Sequence, residues 1–204
     1  MLTTNNKELA EKLKSFRNHG IIRRSKDFIN KELAFERSGS DVAPWYYEMH
    51  ELGFNYRLSD LQCALGISQL RKLESFVKKR GKLRERYLHL LNRLGPHVLP
   101  ISVAEGCDPA WHLSVALIDF EALYTTRSEV MKQLLKLGIG TQVHYIPVHK
   151  QPYYRRYYDT PSLPGAESYY ARCLSLPLFP EMKTLDVDRV VDALAQVLRL
   201  KFND

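Results

Sequence analysis

The fold of this chain is decided by residues 53–62, Gly-Phe-Asn-Tyr-Arg-Leu-Ser-Asp-Leu-Gln. Ser59 followed by Gln62 forms a capping-box pair, and the leucines that follow recur at helical intervals, so a long helix is predicted to begin here. Asn55 and Arg57 precede its N-terminus, where oriented N–H groups and partial positive charge favour an anion such as phosphate. The residue types alone leave a second interpretation open, in which Arg57 forms only a surface ion pair beside a helix cap.

The predicted helix joins two parts of the chain. It runs to about Leu94, because Gly95-Pro96 stops a helix. A helix of this length is a natural bridge between two domains. We therefore place the boundary near residues 80–95 and predict domains at residues 1–94 and 95–204.

The part before this helix has one clear element and one long irregular segment. Residues 1–4 are predicted as a strand remnant, followed by a helix that Asn5 or Asn6 caps and that ends at Gly20. Residues 21–50 lack periodicity and are predicted to be a loop. Loops of about thirty residues in compact domains are usually functional.

The part after the helix has α+β periodicity. Its predicted elements are a strand over residues 111–120, a helix over 127–137, a strand over 140–146, an ordered loop over 147–164, a short helix over 166–174, an extended segment over 175–178 and a last helix that begins at Asp186.

The composition is that of a globular protein with a core, since 45% of the residues are hydrophobic. No apolar run approaches the roughly 18 residues of a membrane-spanning helix, and the first residues lack the pattern of a signal peptide, so we expect a cytoplasmic protein with no membrane partner. Three cysteines lack the spacing of metal ligands and are expected to be reduced thiols. They are Cys63, Cys107 and Cys173.

The net charge of +7 favours an anionic partner without naming it. The densest basic run is residues 78–86, Lys-Lys-Arg-Gly-Lys-Leu-Arg-Glu-Arg. One interpretation is the solvated face of a long helix, because Phe76, Leu83 and Tyr87 fall at helical intervals, and the other is a nucleic-acid site. We favour the helix face and expect no nucleic-acid partner.

A second cluster of polar and aromatic residues spans residues 141–154. Its His-x4-His pair has no third ligand nearby in sequence, so no metal site is predicted. In strand geometry Tyr145 points away from His144 and Ile146, unless the strand bends at Pro147. His144 as a general base and His144 as a hydrogen-bonded residue at a strand end both stay open.

Several motifs together resemble one enzyme family. Residues 53–62, with Ala64-Leu65-Gly66 and Ser68-Gln69-Leu70 after them, resemble the G-x-N-Y-R-x-(S/T)-(D/E)-x-Q-x-A-L-G-x-x-Q-L signature of the DegT/DnrJ/EryC1/StrS aminotransferases. The resemblance covers essentially the whole chain. Further landmarks follow in the family's order at residues 5–6, 18–20, 111–113, 138–141, 144–149 and 175–180.

The resemblance implies an α/β protein with the fold type I of transferases that depend on pyridoxal 5'-phosphate (PLP). This chain would carry the end of the large domain and the small C-terminal α+β domain. The family acts as homodimers with shared active sites, in which Asn55 matches an asparagine that reaches towards the cofactor phosphate and the substrate, and Arg57 assists with an anionic group. The segment that resembles the family's sugar-nucleotide contact is His144, Tyr145, Ile146 and Pro147.

Within the family, residues 45–49, 142–145 and 151–154 are most similar to the branch on the route to pseudaminic acid. This similarity implies the transfer of an amino group from L-glutamate to C4 of a UDP-4-keto-6-deoxy-N-acetylhexosamine.

The same resemblance locates the lysine that binds PLP as a Schiff base about ten residues before the position of Met1. No catalytic residue is therefore assigned within residues 1–204, and we expect this chain to be a C-terminal portion that is inactive alone. The alternative is a non-catalytic fragment that serves as a dimerisation or binding module.

Overall fold

The computed structural model describes residues 2–35, 41–159 and 161–203. The chain divides into two compact units, Met1–Leu70 and Arg71–Asp204. The first carries a two-stranded sheet and the second a three-stranded sheet, each accompanied by helices, so the protein is mixed α/β as predicted.

Helix α1, Lys7–Arg17, is the first element of the first unit. The Leu9 N–H donates to the Asn6 side chain at 3.0 Å, which confirms the predicted cap. The helix ends before Gly20, which has a φ of +70°. Residues 2–4 form no strand, because no described segment pairs with them, so that prediction was wrong.

The segment predicted as a loop over residues 21–50 is partly regular. Strand β1, Ile21–Ile22, pairs antiparallel with strand β2, Glu48–Met49. A 3₁₀ turn at Ser25–Asp27 and helix α2, Lys31–Ala34, lie between them in sequence. Elements this short leave no periodic signal, which is why the sequence pattern indicated only a loop.

The two ends of this segment meet at a pair of glycines. The His50 N–H donates to the Gly20 carbonyl at 3.2 Å. A Cβ at Gly20 would lie 1.8 Å from the Glu51 carbonyl oxygen, and a Cβ at Gly53 would lie 2.1 Å from the Gly20 nitrogen. The backbones approach so closely that only glycine fits at either position.

Two helices occupy the stretch that was predicted as one. Helix α3 is Asp60–Leu70 and ends the first unit, whereas helix α4 is Leu73–Asn92 and lies in the second. Arg71 and Lys72 lie between the two helices, and neither residue type disfavours a helix. The sequence therefore gives no sign of the interruption.

Helix α4 contributes to the core of the second unit. Leu83, Tyr87 and Leu91 are buried in that core. The division between compact units therefore falls after Leu70, and the boundary predicted near residues 80–95 lies inside the second unit.

The second unit is built on an antiparallel sheet with the order β3-β4-β5. These strands are Val98–Pro100, Ser114–Ile118 and Cys173–Leu176. Ala116 in the central strand pairs with Pro100 on one side and with Leu174 on the other. The predicted strand over residues 111–120 is therefore present but shorter.

Four further helices complete this unit among the described residues: α5 at Arg127–Lys136, α6 at Pro152–Tyr157, α7 at Pro164–Arg172 and α8 at Thr184–Leu198. Helix α8 packs on α4 and α5. The fully buried side chains of the core are Tyr87, Leu91, Leu94, Val98, Ile118, Val130, Leu134, Leu174, Val187, Val191 and Leu194.

Two predictions for this unit need correction. Residues 140–146 form no strand: among the described residues they make the isolated bridge from Gln142 to Ser175, and the His144 carbonyl accepts a hydrogen bond from the Tyr169 hydroxyl on α7. The predicted loop over residues 147–164 contains a 3₁₀ turn, Val148–Lys150, and α6.

No helix in the described ranges has both the length and the apolar character that a membrane-spanning helix needs. The cysteines are free thiols, with Cys63 and Cys107 exposed and Cys173 buried.

Candidate functional site

Asn55 lies in an extended segment that is held against the end of α1. The Phe54 N–H donates to the Phe16 carbonyl at 2.7 Å, and the Tyr56 N–H donates to the Arg17 carbonyl at 3.0 Å. Asn55 itself forms an isolated bridge with the residue that follows α1. The backbone on both sides of Asn55 is thereby fixed.

The side chains of this segment alternate between two faces. The Phe54 and Tyr56 rings stack with their centroids 5.0 Å apart. Because successive side chains of an extended segment point in opposite directions, Asn55 and Arg57 project from the other face. Both are exposed, and within the described part of the chain neither side chain has a hydrogen-bond partner or an ion pair.

The cap of α3 adjoins these two residues. The Ser59 N–H donates to Gln62 Oε1 at 2.9 Å, and the Gln62 N–H donates to Ser59 Oγ at 3.3 Å, which confirms the predicted capping box. The cap uses the side chains of Ser59 and Gln62, so Asn55 and Arg57 are the side-chain donors left for an anion on their face of the segment, and the exposed Tyr56 hydroxyl is a further donor on the other face.

His144 lies in the second unit, beside the last strand of its sheet. Its Nδ1 is 2.8 Å from the Oγ of Ser175, a residue of β5 whose exposed fraction is 4%. The Tyr169 hydroxyl donates to the His144 carbonyl at 3.0 Å. Backbone hydrogen bonds in both directions join Ser175 to Gln142, at 2.8 and 3.2 Å.

The predicted separation of His144 and Tyr145 onto opposite faces was wrong. Their rings meet edge to face with centroids 4.6 Å apart, because this segment is not a strand. Tyr145 and Ile146 are exposed, and Pro147 is half-buried. One ring nitrogen of His144 thus contacts a buried serine, and aromatic and apolar residues border the rest of the ring.

The end of the same segment is tied to α7 by charge. Glu167 pairs with His149 Nε2 at 3.2 Å and with Lys150 Nζ at 3.0 Å. The hydrogen bond from Lys150, followed by that from His149, lowers the pKa of the Glu167 carboxyl. His149 is therefore part of a tether, and the described residues contain no cluster of three or more metal-ligating side chains.

The arginines of the basic run 78–86 take part in packing. Arg80 Nε donates to the Trp111 carbonyl at 2.6 Å, and Arg86 Nε donates to Asp188 at 2.7 Å. Arg84 is 1% exposed, donates from Nη2 to the Ile101 carbonyl at 2.7 Å, and lies 4.8 Å from the centre of the Trp111 ring. The run therefore lies on a helix as predicted, but its face is not simply solvated, because Arg84 is buried and the three arginines bond to other parts of the unit.

Glu48 organises the segment between β1 and β2 and was missed by the sequence analysis. Its carboxylate accepts the Ile29 and Asn30 N–H groups at 2.8 Å each and the Tyr46 hydroxyl at 2.9 Å, and it contacts His50 Nε2. Burial alone would raise the pKa of Glu48, but the hydrogen bonds outweigh it and lower the pKa to about 2.

Ser175 and Tyr169 were also missed as neighbours of the candidate site. Ser175 carries a weak signal, since it is a polar residue between leucines in a segment predicted to be extended. Tyr169 carries none, because its contact with His144 depends on how α7 lies against the sheet.

Comparison with known proteins identifies the family. A family model described as the DegT/DnrJ/EryC1/StrS aminotransferase family matches residues 1–195. The chain belongs to this family. Aminotransferases of this family act on sugars and depend on PLP.

Two curated relatives are similar over nearly all of this chain. The spore coat polysaccharide biosynthesis protein SpsC of Bacillus subtilis is 38% identical over 98% of the chain and 49% of its own length. The UDP-4-amino-4,6-dideoxy-N-acetyl-beta-L-altrosamine transaminase of Campylobacter jejuni is 34% identical over 97% of the chain and 47% of its own length. The chain thus spans about half the length of the curated relatives it matches.

A solved structure agrees in fold. Helicobacter pylori PseC, described as an aminotransferase involved in the biosynthesis of pseudoaminic acid, superposes with a TM-score of 0.79 at 26% identity. The superposition covers 96% of this chain and 47% of that protein. The predicted fold of PLP-dependent aminotransferases is therefore confirmed.

Proposed function

We propose that this chain supplies half of a PLP-dependent sugar-nucleotide aminotransferase of pseudaminic acid biosynthesis. The enzyme moves an amino group from L-glutamate to C4 of a UDP-4-keto-6-deoxy-N-acetylhexosamine and works as a homodimer with shared active sites. The observation that carries this proposal is the 34% identity to the Campylobacter transaminase over 97% of the chain.

The donors on the Asn55 segment fit the phosphate group of PLP. An amide and a guanidinium, both exposed and without a partner among the described residues, supply charge-assisted hydrogen bonds to phosphate oxygens, because the acceptor is ionised. Bound PLP supplies an electron sink for the carbon that carries the amino group. Asn55 would hold the phosphate in the partner subunit's site, and Arg57 would neutralise an anionic group beside it.

The His144 segment fits the sugar nucleotide. Tyr145 and Ile146 present exposed apolar surface on which a base or sugar ring can lie. His144 has its Nδ1 committed to Ser175, so its Nε2 is the ring atom left to hydrogen-bond a substrate oxygen. Pro147 fixes its own φ and restricts the conformation of the preceding Ile146, which favours a fixed contact surface.

A second candidate function is supported by the surface of α3. Leucines on several sides of this helix are exposed, and Leu61 is 85% exposed. Exposed apolar residues in such number mark a surface that another chain or domain covers. A non-catalytic dimerisation or binding module would use this helix without any chemistry at Asn55.

The two functions are separated by a transaminase assay. The protein that carries these residues together with a PLP-binding lysine is incubated with L-glutamate and the UDP-4-keto sugar, and the amino sugar is measured by mass spectrometry. Conversion of Asn55 or Arg57 to alanine should lower kcat/KM at least about tenfold, since charge-assisted bonds to phosphate are lost. Lys136→Ala, an exposed cation on α5, should leave the rate unchanged.

No product from the wild-type protein, together with retained self-association, would favour the binding module instead. A reading frame upstream of Met1 that encodes a lysine followed by a Gly-rich turn would support the enzyme. The 204-residue chain assayed alone is expected to give no product, and a PLP absorbance band trapped by borohydride on one of its own lysines would contradict that expectation.

A further inference from the structure

His144 and Ser175 form an isolated pair at the edge of the sheet of the second unit. The 2.8 Å distance between Nδ1 and Oγ is a hydrogen bond in which either group could carry the proton. The choice matters, because it decides whether Nε2 of His144 donates or accepts a hydrogen bond.

Burial of Ser175 settles the direction of this hydrogen bond. If Nδ1 donated, the Ser175 hydroxyl hydrogen would need an acceptor of its own, and His144 Nδ1 is the only partner of Oγ among the described residues. A buried hydroxyl hydrogen without an acceptor costs more than an unused oxygen lone pair. Ser175 therefore donates to Nδ1, and the proton of the neutral imidazole resides on Nε2.

The contacts around the pair fix the backbone that carries both side chains. Both backbone groups of Ser175 bond to Gln142, and the backbone of β5 pairs with β4 on the other side. The Tyr169 hydroxyl fixes the His144 carbonyl, and the Tyr145 ring lies edge to face with the imidazole. Neither the serine nor the histidine backbone can shift without breaking these bonds.

We propose that Ser175 is a positioning residue that holds His144 as an Nε2–H donor for an oxygen acceptor of the nucleotide sugar. The ligand part of this inference rests on the proposed function, because it assumes that the His144 segment contacts the substrate. The tautomer part stands on the geometry alone. An Nε2–H donor favours phosphate, carbonyl or hydroxyl oxygens and disfavours ligand groups that can only donate.

The tautomer can be read directly on the full 204-residue chain. Long-range proton–nitrogen spectra of ¹⁵N-labelled protein at about pH 8, where imidazoles are mostly neutral, distinguish a protonated from an unprotonated ring nitrogen. The expected result is Nε2–H with unprotonated Nδ1 for His144. Ser175→Ala should give a mixture of tautomers, whereas Ser175→Thr, which keeps the hydroxyl, should restore the single form.

Ser114→Ala is the matched control. Ser114 is likewise a buried serine, and it lies in the neighbouring strand β4, where its Oγ has no hydrogen-bond partner among the described residues. Its removal should leave the His144 spectrum unchanged. A dominant Nδ1–H form in the wild-type protein, or a single Nε2–H form that persists in Ser175→Ala, would overturn the proposal.

The ligand part is tested with UDP-N-acetylglucosamine as the probe in calorimetric titrations. Ser175→Ala should weaken binding about tenfold, because His144 Nε2–H is then no longer held ready to donate its hydrogen bond to the ligand. In His144→Gln the side-chain amide can donate near the Nε2 position without help from serine, so adding Ser175→Ala to this variant should cost little further affinity.

The two parts can fail separately. If Ser175→Ala changes the tautomer but leaves the affinity for UDP-N-acetylglucosamine unchanged, the role in ligand binding is overturned along with the assignment of this segment to the substrate. If the affinity falls while the tautomer is unchanged, Ser175 does not act through His144, and the proposed function remains.

Discussion

Glu48 shows how one carboxylate can order a segment that has little regular structure. It joins residues 29 and 30 to β2 and also holds Tyr46. Because these bonds lower the pKa of Glu48 to about 2, their contribution to stability is complete above the usual carboxyl pKa near 4.5. It is lost as the pH falls from that value towards 2.

Glu48→Gln should abolish this pH dependence. In the wild-type protein the amide signals of Ile29 and Asn30 should titrate with a midpoint near 2, because both N–H groups point at the carboxylate. The titration is followed by nuclear magnetic resonance between neutral and acid pH. Glu32→Gln, an exposed substitution in α2, should leave it unchanged. A midpoint near 4.5 would contradict the network.

Arg84 is a buried cation with little compensation. Burial lowers its pKa, and its Nε and Nη1 have no hydrogen-bond partner among the described residues. Its stabilising contacts are one carbonyl, on Ile101, and the face of Trp111. An unpaired buried charge costs more than two such contacts return.

Arg84→Met should therefore stabilise the second unit by about 1 kcal/mol, since methionine fills similar space without a charge. Arg84→Ala should instead lower the free energy of unfolding by about 2 kcal/mol, because it leaves a cavity against Trp111. Both values are measured by urea denaturation. If the methionine variant loses as much stability as the alanine variant, the guanidinium contacts outweigh the cost of burying the charge.

At the scale of elements, capping decides how firmly α5 is held. The Thr126 side chain accepts the Glu129 N–H, and the Glu129 carboxylate accepts the Thr126 N–H at 2.9 Å. The Thr126 hydroxyl, which donates to the Glu129 carboxylate at 3.0 Å, and the Thr126 N–H lower the pKa of Glu129. Val130 and Leu134 of the same helix are buried in the core, so fraying of α5 would expose them.

Thr126→Ala should lower the free energy of unfolding by about 1 kcal/mol, the usual cost of losing an N-cap. Ser128→Ala on the same turn removes an exposed hydroxyl that caps nothing and should change stability little. Thermal or urea unfolding of the two variants provides the comparison. Equal losses of stability in both variants would show that the start of α5 does not depend on the capping box formed by Thr126 and Glu129.

Elements with strong local signals were predictable, and elements that depend on distant contacts were not. The caps at Asn6 and Ser59 and the helix after Arg127 follow from residue type and spacing alone. The break after Leu70 did not, because its neighbours are good helix formers. The absence of a strand after Gly140 has no local signal either, and the His144 carbonyl there accepts a hydrogen bond from Tyr169 of α7, which is distant in sequence.

The candidate site divides in the same way. The family motif placed Asn55 and Arg57 beside a helix cap, and that cap is present. The Ser175 contact could not be deduced, since its partner His144 lies 31 positions away and meets it only once Gln142 has bridged to β5. The spacing of residues in a sequence reveals neighbours within one helix or strand, whereas His144 and Ser175 lie on two different segments.

At the scale of the whole molecule, the exposed leucines of α3 lead us to expect that the proposed homodimer forms through this helix. Its leucines are exposed, and the residues just before this helix carry the proposed phosphate donors. Leu61→Gln together with Leu65→Gln should shift the protein from dimer towards monomer in light scattering after gel filtration, because the apolar surface that drives association is removed. Leu135→Gln, an exposed leucine of α5, is the control and should leave the dimer intact. A variant that remains fully dimeric would exclude α3 from the interface.

The meeting of Gly20 with residues 50–53 has a consequence for how this architecture can diversify. The chain leaves this point after Gly20 and returns to it at His50, so the stretch between them is an excursion whose length does not set the position of Asn55. A flexible insertion there costs little, since doubling the length of a flexible loop costs only about 0.6 kcal/mol. Insertions there would therefore change what surrounds the phosphate donors without displacing them, and the excursion is the place where related lineages could acquire new recognition surfaces at little cost to folding.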